Sequence, residues 1–317
     1  MAVNYAESWA TDLLTILEQE TLTSPFVTTN VKWLGAKTFH FTQMSVSGFQ
    51  NHKRSGGWNS GTFAQTDIPY TVGFDRDVQF LVDKADVDET NATLSIQNIT
   101  KTFQQTQVAP ETDAYFFSKV ANQAQQLAAY HTSHAASDAA FSADNVFATL
   151  KGMLAAGKLR RYRAKGALIM YVTSAIMDAL EQSKAFTRQI NMTALTNNGM
   201  GIETRVTDID GVPVMEVIDD ERFYDKFDFT NGFAPVAHTA SVVGSHKINV
   251  LIASQLSTFI VPKISSIYYF NPGSHTEGDG YLYQNRQFWD TFVFPNGKDG
   301  KIDSIYVDTD TAEYQAA

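Results

Sequence analysis

The 317-residue sequence predicts an α+β fold. Three observations carry that expectation. Apolar residues recur at helical spacing through 111–128, where Phe117, Val120, Ala121, Ala124, Leu127 and Ala128 share one face. They alternate at strand spacing through Ile68, Tyr70, Val72 and Phe74, and again through Ile248, Val250 and Ile252. Between 50 and 61 the chain is polar, basic and Gly-rich, with no buried periodicity. At ~100–200 residues per domain the length fits two domains or one elaborated fold.

The elements follow in order. A helix is expected over 5–21, with apolar Tyr5, Trp9, Leu13, Ile16 and Leu17 on one stripe. Asn4 and Glu7 have the spacing of a capping box at its start. After Ser24-Pro25 the pattern turns extended through Val27, Val31 and Trp33 and alternates over 38–41. Two strand arms then flank a loop of roughly 20 residues around 45–67, a length usually functional or disordered. Val78, Phe80 and Val82 extend the second arm, so a long β-hairpin reaching away from the body is expected.

From 75 to 90 six acids face two bases. A loose helical pattern over 91–107 leads to Pro110, suited to a first helical turn, and to Glu111 and Asp113 near the positive end of the helix dipole. One long helix, or two pieces joined near Pro110, is expected. A further helix over 143–156 has Ser142 or Asp144 near its cap and Gly157 beyond its end. A short apolar strand at 167–172 and a helix at 174–182 follow. Asp210-Gly211 turns between two strands. Residues 292–307 read as a terminal hairpin about Pro295-Asn296-Gly297.

Composition narrows the function classes. Apolar residues are 44% and charged residues 18%, enough for a large core. No window approaches ~18 uninterrupted apolar residues, and the N-terminus lacks the pattern of a secretory signal. Cys is absent, which excludes disulfides and thiolate metal sites. Net charge is −10, the opposite of the basic surplus that phosphate binding needs. The chain either does not grip nucleic acid or encloses it loosely.

No enzyme signature assembles. There is no phosphate-binding G-x-x-x-x-G-K loop and no G-x-S-x-G elbow. The Gly-rich run 273–280 is followed by no helix and reads as a flexible loop. His131 and His134 have a spacing a zinc site could use, without a third ligand, and read as solvent-facing. Asp208 and Asp210 read as turn residues. Catalytic, cofactor and metal residues are therefore expected to be none.

Candidate contact residues are charged. Lys158, Arg160, Arg161, Arg163 and Lys165 place five cations in eight residues around Tyr162, as a solvated loop, a subunit contact or a patch facing nucleic acid. Lys53 and Arg54 at the hairpin tip, beside Trp58, have a complement in Asp83, Asp86, Asp88 and Glu89. With an outward hairpin that complement would belong to a neighbouring subunit. Exposed pairs are each worth about 0–1 kcal/mol, so a repeated array would set register more than strength.

The order of these elements resembles the major capsid proteins of tailed bacteriophages, the Hong Kong 97-type fold, particularly those of phages of Gram-positive bacteria. Val108-Ala109-Pro110-Glu111-Thr112-Asp113-Ala114-Tyr115 is similar to the family's spine-helix stretch. Asp210-Gly211-Val212-Pro213-Val214 is similar to its G-x-P-V strand, and 248–254 and 281–293 resemble its closing strands. The resemblance spans nearly the whole chain.

The resemblance implies a division into an N-terminal arm (1–41), an extended loop (42–82), a peripheral domain with the spine helix (83–159), a mainly axial domain (160–252) and closing strands (253–317). It implies a non-enzymatic virion protein that self-assembles into pentamers and hexamers around double-stranded DNA in the host cytoplasm. The DNA would be enclosed without sequence-specific binding, and no membrane or cofactor would be involved. A portal protein and a separate scaffolding protein are expected partners, the latter because Met1 stands almost directly at the arm helix. Some relatives crosslink a loop Lys to an Asn, promoted by a Glu; Lys53 lies on the loop, but no Asn or Glu matches by motif, so that activity is not carried over. The alternatives are an encapsulin-type nanocompartment and a soluble hydrolase using His131 and His134.

Overall fold

The computed structural model describes residues 21–29, 31, 33, 35–52, 56, 58–84, 96–183, 207–295 and 301–315. The expected helix at 5–21, apart from its last residue Thr21, and the candidates Lys53, Arg54, Asp86, Asp88 and Glu89 lie outside the described residues.

Three strands come first: β1 (Thr38–Val46), β2 (Phe63–Thr71) and β3 (Phe74–Asp83). A continuous helical segment follows, made of α1 (Ile96–Phe103), a π-helical stretch (Gln104–Val108) and α2 (Ala109–Gln125). The wide turn sits directly before Pro110, whose missing N–H removes a rung from the helical ladder. Next come β4 (His131–Ser133), α3 (Val146–Leu154), α4 (Leu159–Arg163), β5 (Leu168–Thr173) and α5 (Ser174–Gln182). The chain continues through β6 (Thr207–Ile209), β7 (Val212–Val217), β8 (Phe227–Asp228), β9 (Ala234–Pro235) and β10 (His246–Ser254). Three long strands close it: β11 (Thr258–Phe270), β12 (Gly280–Val293) and β13 (Ile305–Glu313).

A six-stranded mixed sheet, ordered β4-β13-β10-β5-β7-β6, forms the centre. All of β5 is buried, as a strand covered on both faces must be. Its period of two sorts the core. Leu168, Met170 and Val172 face α3, α4 and α5 through Leu150, Leu154, Leu159, Met177 and Leu180. Ile169 and Tyr171 face α2 through Phe116, Phe117, Val120 and Ala121. Val250 and Ile252 of β10 join the first layer, but Ile248 joins the second. A register shift between Ile248 and Val250 moves Ile248 to the other face, so the simple alternation expected there breaks.

A second, antiparallel sheet of order β11-β12-β3 lies beside the spine helix. Two expectations are corrected by this topology. The terminal hairpin does not form: β12 pairs with β11 and β3, whereas β13 pairs with β10 and β4 in the other sheet. The long hairpin closes earlier than expected. β1 pairs with β2 from Thr38↔Thr71 to Val46↔Phe63, while Val78, Phe80 and Val82 belong to β3 and pair with β12. Leu127 and Ala128 also lie beyond the end of α2.

Local chemistry explains the best-placed elements. The β6–β7 turn has Asp210 at φ 53° and Gly211 at φ 79°, the two positive values that match a tight turn to strand twist. Helix α5 occupies 174–182 as its periodicity predicts. No helix among the described residues is long and apolar enough to cross a membrane.

Candidate assembly surfaces

The β1–β2 hairpin is held at its root by aromatic packing. Phe39 is 5.2 Å from Phe292 and 5.7 Å from Tyr70, Phe41 is 4.7 Å from Phe294, and Tyr70 is 4.8 Å from Phe294, all between ring centroids. Lys263 covers Trp33 at 3.9 Å, closing one side of this cluster. Beyond that root the described residues of the hairpin form no core of their own. Met44, Val46, Phe49, Trp58 and Phe63 are 69–110% exposed, and Phe41 is 40% exposed. Met44, Val46 and Phe63 project to the face opposite Phe39, because β-strand side chains alternate. Sequence pattern points to Trp58 and the charged tip but not to Met44, Val46, Phe49 and Phe63. Their presence on a predicted outward arm was the available signal.

The hairpin joins the body through Val72 and Gly73. The Val72 N–H donates to the Lys37 carbonyl at 2.9 Å, and the Gly73 N–H donates to Asp290 Oδ2 at 2.9 Å. Asp290 is buried on β12 and also accepts from the Tyr115 hydroxyl at 2.8 Å. Burial, then the charge of Asp290, pushes the Tyr115 hydroxyl up, so it stays a proton donor.

The segment before the hairpin is fixed by Asp113, read from sequence as a helix-dipole charge. The structure buries Asp113 completely and gives it four donors: the N–H groups of Leu22 and Thr23, the Thr23 hydroxyl and Arg222 Nη1 at 3.0 Å. Burial pushes this carboxyl up, and Arg222 and the Thr23 and Leu22 donors oppose that shift. A similar tie holds β3 to the spine helix, where Arg76 Nε lies 2.7 Å from Glu111 and Arg76 also donates to the carbonyls of Phe229 and Gly232. Burial pushes Glu111 up against the pull of Arg76.

The predicted contact residues are scattered rather than gathered into one site. Trp58 stands exposed in the loop between β1 and β2, and exposed Asp83 ends β3 opposite Gly280. Arg160, Arg161 and Arg163 are on α4 rather than in a loop, with Leu159 and Tyr162 turned into the core. Arg163 is spent locally, reaching Asp210 at 3.1 Å beside Lys151 at 3.5 Å. Arg160 and Arg161 are exposed.

His131 and His134 are half-buried on and after β4, not solvent-facing. His131 meets Thr309 at 3.1 Å, and His134 Nδ1 lies 2.5 Å from the buried Asp308. Asn249 donates to the same carboxylate at 2.9 Å, so this group pins three strands together. Among the described residues no three His, Asp or Glu side chains could hold a metal.

No family model matches the sequence, and no curated protein sequence matches it. Solved structures do match in fold. The mature capsid of bacteriophage PhiM1 aligns at TM-score 0.61 and 13% identity over 93% of this chain and 88% of that one. The capsid of cyanophage P-SCSP1u aligns at TM-score 0.57 and 11% identity over 93% and 89%. A structure from Mycobacterium phage Che8 aligns at TM-score 0.55 and 12% identity over 91% and 90%. These alignments cover more than nine-tenths of the chain, which therefore has the fold of phage capsid proteins that its sequence led us to expect.

Proposed function

We propose that this chain is a capsid shell subunit, a phage major capsid protein whose copies form the pentamers and hexamers of an icosahedral particle around double-stranded DNA. The observation that carries the reading is an apolar arm on a body with a capsid fold. A two-stranded hairpin is at best marginally stable by itself. Here it carries five exposed large apolar side chains, Met44, Val46, Phe49, Trp58 and Phe63, beyond its aromatic root. Covering each on a neighbour would contribute about 1.5–3 kcal/mol before ordering costs.

In this reading the N-terminal arm (1–41) and the loop (42–82) reach neighbours. The peripheral (83–159) and mainly axial (160–252) portions, with the closing strands (253–317), form the body. Asp83, Asp86, Asp88 and Glu89 receive Lys53 and Arg54 from an adjacent copy. The subunit is structural rather than catalytic, and works with separate scaffolding and portal proteins. A charge of −10 suits a wall that encloses DNA without clinging to it.

Deleting residues 50–61 tests the assignment. The expected product is a soluble, folded subunit that sediments without closed particles; efficient closure by the deletion variant contradicts it. Reversing Lys53 and Arg54 to Glu is expected to weaken assembly most at low salt. A salt-independent effect contradicts the pairing. Nuclease-resistant DNA of genome length inside wild-type particles separates this reading from a cargo compartment.

A further inference from the structure

A cleft of about 640 Å³ opens between the end of the spine helix, α4 and the start of the last strand. Lys158, Arg161 and Lys301 line it, and all three are exposed. They come from two distant chain segments and converge only in the fold. The floor is apolar, formed by Leu127, Ala128, Ala129 and Ile302. The one carboxylate in the lining, Asp303, is buried, and its Oδ1 takes the Tyr162 hydroxyl at 2.5 Å.

Several charges elsewhere are matched within the chain. Lys151 and Arg163 share Asp210, Lys247 meets Asp220, Arg222 meets Asp219 and Asp113, and Arg286 meets Asp75. Among the described residues Lys158, Arg161 and Lys301 form no ion pair. A cationic rim over an apolar floor is thus left open on a chain whose net charge is −10.

We propose that this cleft docks an acidic, partly apolar segment of a second copy of the chain; the proposal rests on the shell reading above. Two observations favour a protein occupant over a DNA backbone. The apolar floor offers burial that a phosphodiester chain cannot use but a peptide can. In addition, copies carrying −10 repel one another on approach, so a cationic cleft is where a neighbour's surplus carboxylates are best accommodated. The cleft would steer subunits into register, while the exposed hairpin supplies apolar contact area elsewhere.

The test uses assembled wild-type particles built from mixed unlabelled and nitrogen-15-labelled chains. A zero-length carbodiimide reagent is expected to join Lys158 or Lys301 to an Asp or Glu of a differently labelled chain, as read by mass spectrometry. Particles lacking any such interchain link overturn the proposal. In parallel, the triple variant Lys158→Glu, Arg161→Glu, Lys301→Glu is expected to raise the concentration needed for assembly about tenfold or more, with the deficit shrinking in high salt. Circular dichroism matching wild type shows that the variant subunit is folded. Wild-type assembly by the folded triple variant overturns the proposal, and so does normal assembly with reduced packaged DNA, which assigns the cleft to nucleic acid. If wild-type chains form no particles at all, the shell reading fails first, and the two failures are thereby distinguished.

Discussion

The Tyr115 hydroxyl on the spine helix donates to Asp290 on β12 at 2.8 Å, and the other oxygen of Asp290 takes the Gly73 N–H where the hairpin leaves the body. One buried carboxylate therefore joins the helix, the sheet and the base of the arm. Removing the tyrosine hydroxyl leaves that carboxylate short of a donor. Oδ1 keeps the Thr291 N–H, so Tyr115→Phe is expected to lower subunit stability by about 1–3 kcal/mol, the worth of one hydrogen bond to a buried charge. The midpoint of urea denaturation measures it, and a change within error contradicts the role.

Asp113 is the anchor for residues 22 and 23. Asp113→Ala leaves three donors without their acceptor and Arg222 with Asp219 alone. The expected destabilisation is about 3–5 kcal/mol, as for one partner removed from a buried pair. Limited proteolysis is expected to cut first within 21–29, because that segment loses its tie to the spine helix. Unchanged cleavage kinetics there would contradict the anchoring.

Two glycines separate backbone strain from crowding. Gly157 has φ 49°, and an added Cβ would overlap the buried Tyr130 ring; Gly166 has φ 65° with open space around it. Gly166→Ala is expected to cost about 1–2 kcal/mol from the left-handed backbone alone. Gly157→Ala is expected to cost more, since Tyr130 must also move and its hydroxyl accepts the Lys158 N–H. Equal losses in thermal denaturation would show that Tyr130 yields freely.

Glu313 gives a pH dependence of known sign. The Gly244 N–H, then His238, hold its carboxyl below the ordinary glutamate range. A depressed folded pKa contributes stability above the unfolded value of about 4.3, and that stability is lost as pH falls through the folded pKa. The Tm gap between wild type and Glu313→Ala is therefore expected to be widest near neutrality and to close in acid. A gap that widens in acid contradicts the pairing.

Much of the local structure was legible because it depends on neighbours in sequence. The stripe through Phe117 and Val120, the helix at 174–182 and the Asp210-Gly211 turn are examples. Strand partnership was not legible. β12 and β13 follow one another closely, yet a hairpin between them loses to longer pairings, in which Trp289 and Val307 both bury against the spine-helix core. Nor does a local pattern show that Asp113 and Asp290 are interior, since a buried carboxylate and a solvated one look alike until their donors arrive from distant segments. The apolar hairpin arm was hidden for a related reason: Met44, Val46 and Phe63 satisfy strand alternation, and only the fold shows that they stay exposed among the described residues.

The central claim is that copies of this chain close into shells. Electron microscopy with sedimentation of the purified 35.1 kDa protein tests it most directly. Rings of five and six subunits and closed icosahedral particles are the predicted result, and a single monomeric species at every concentration would contradict the account.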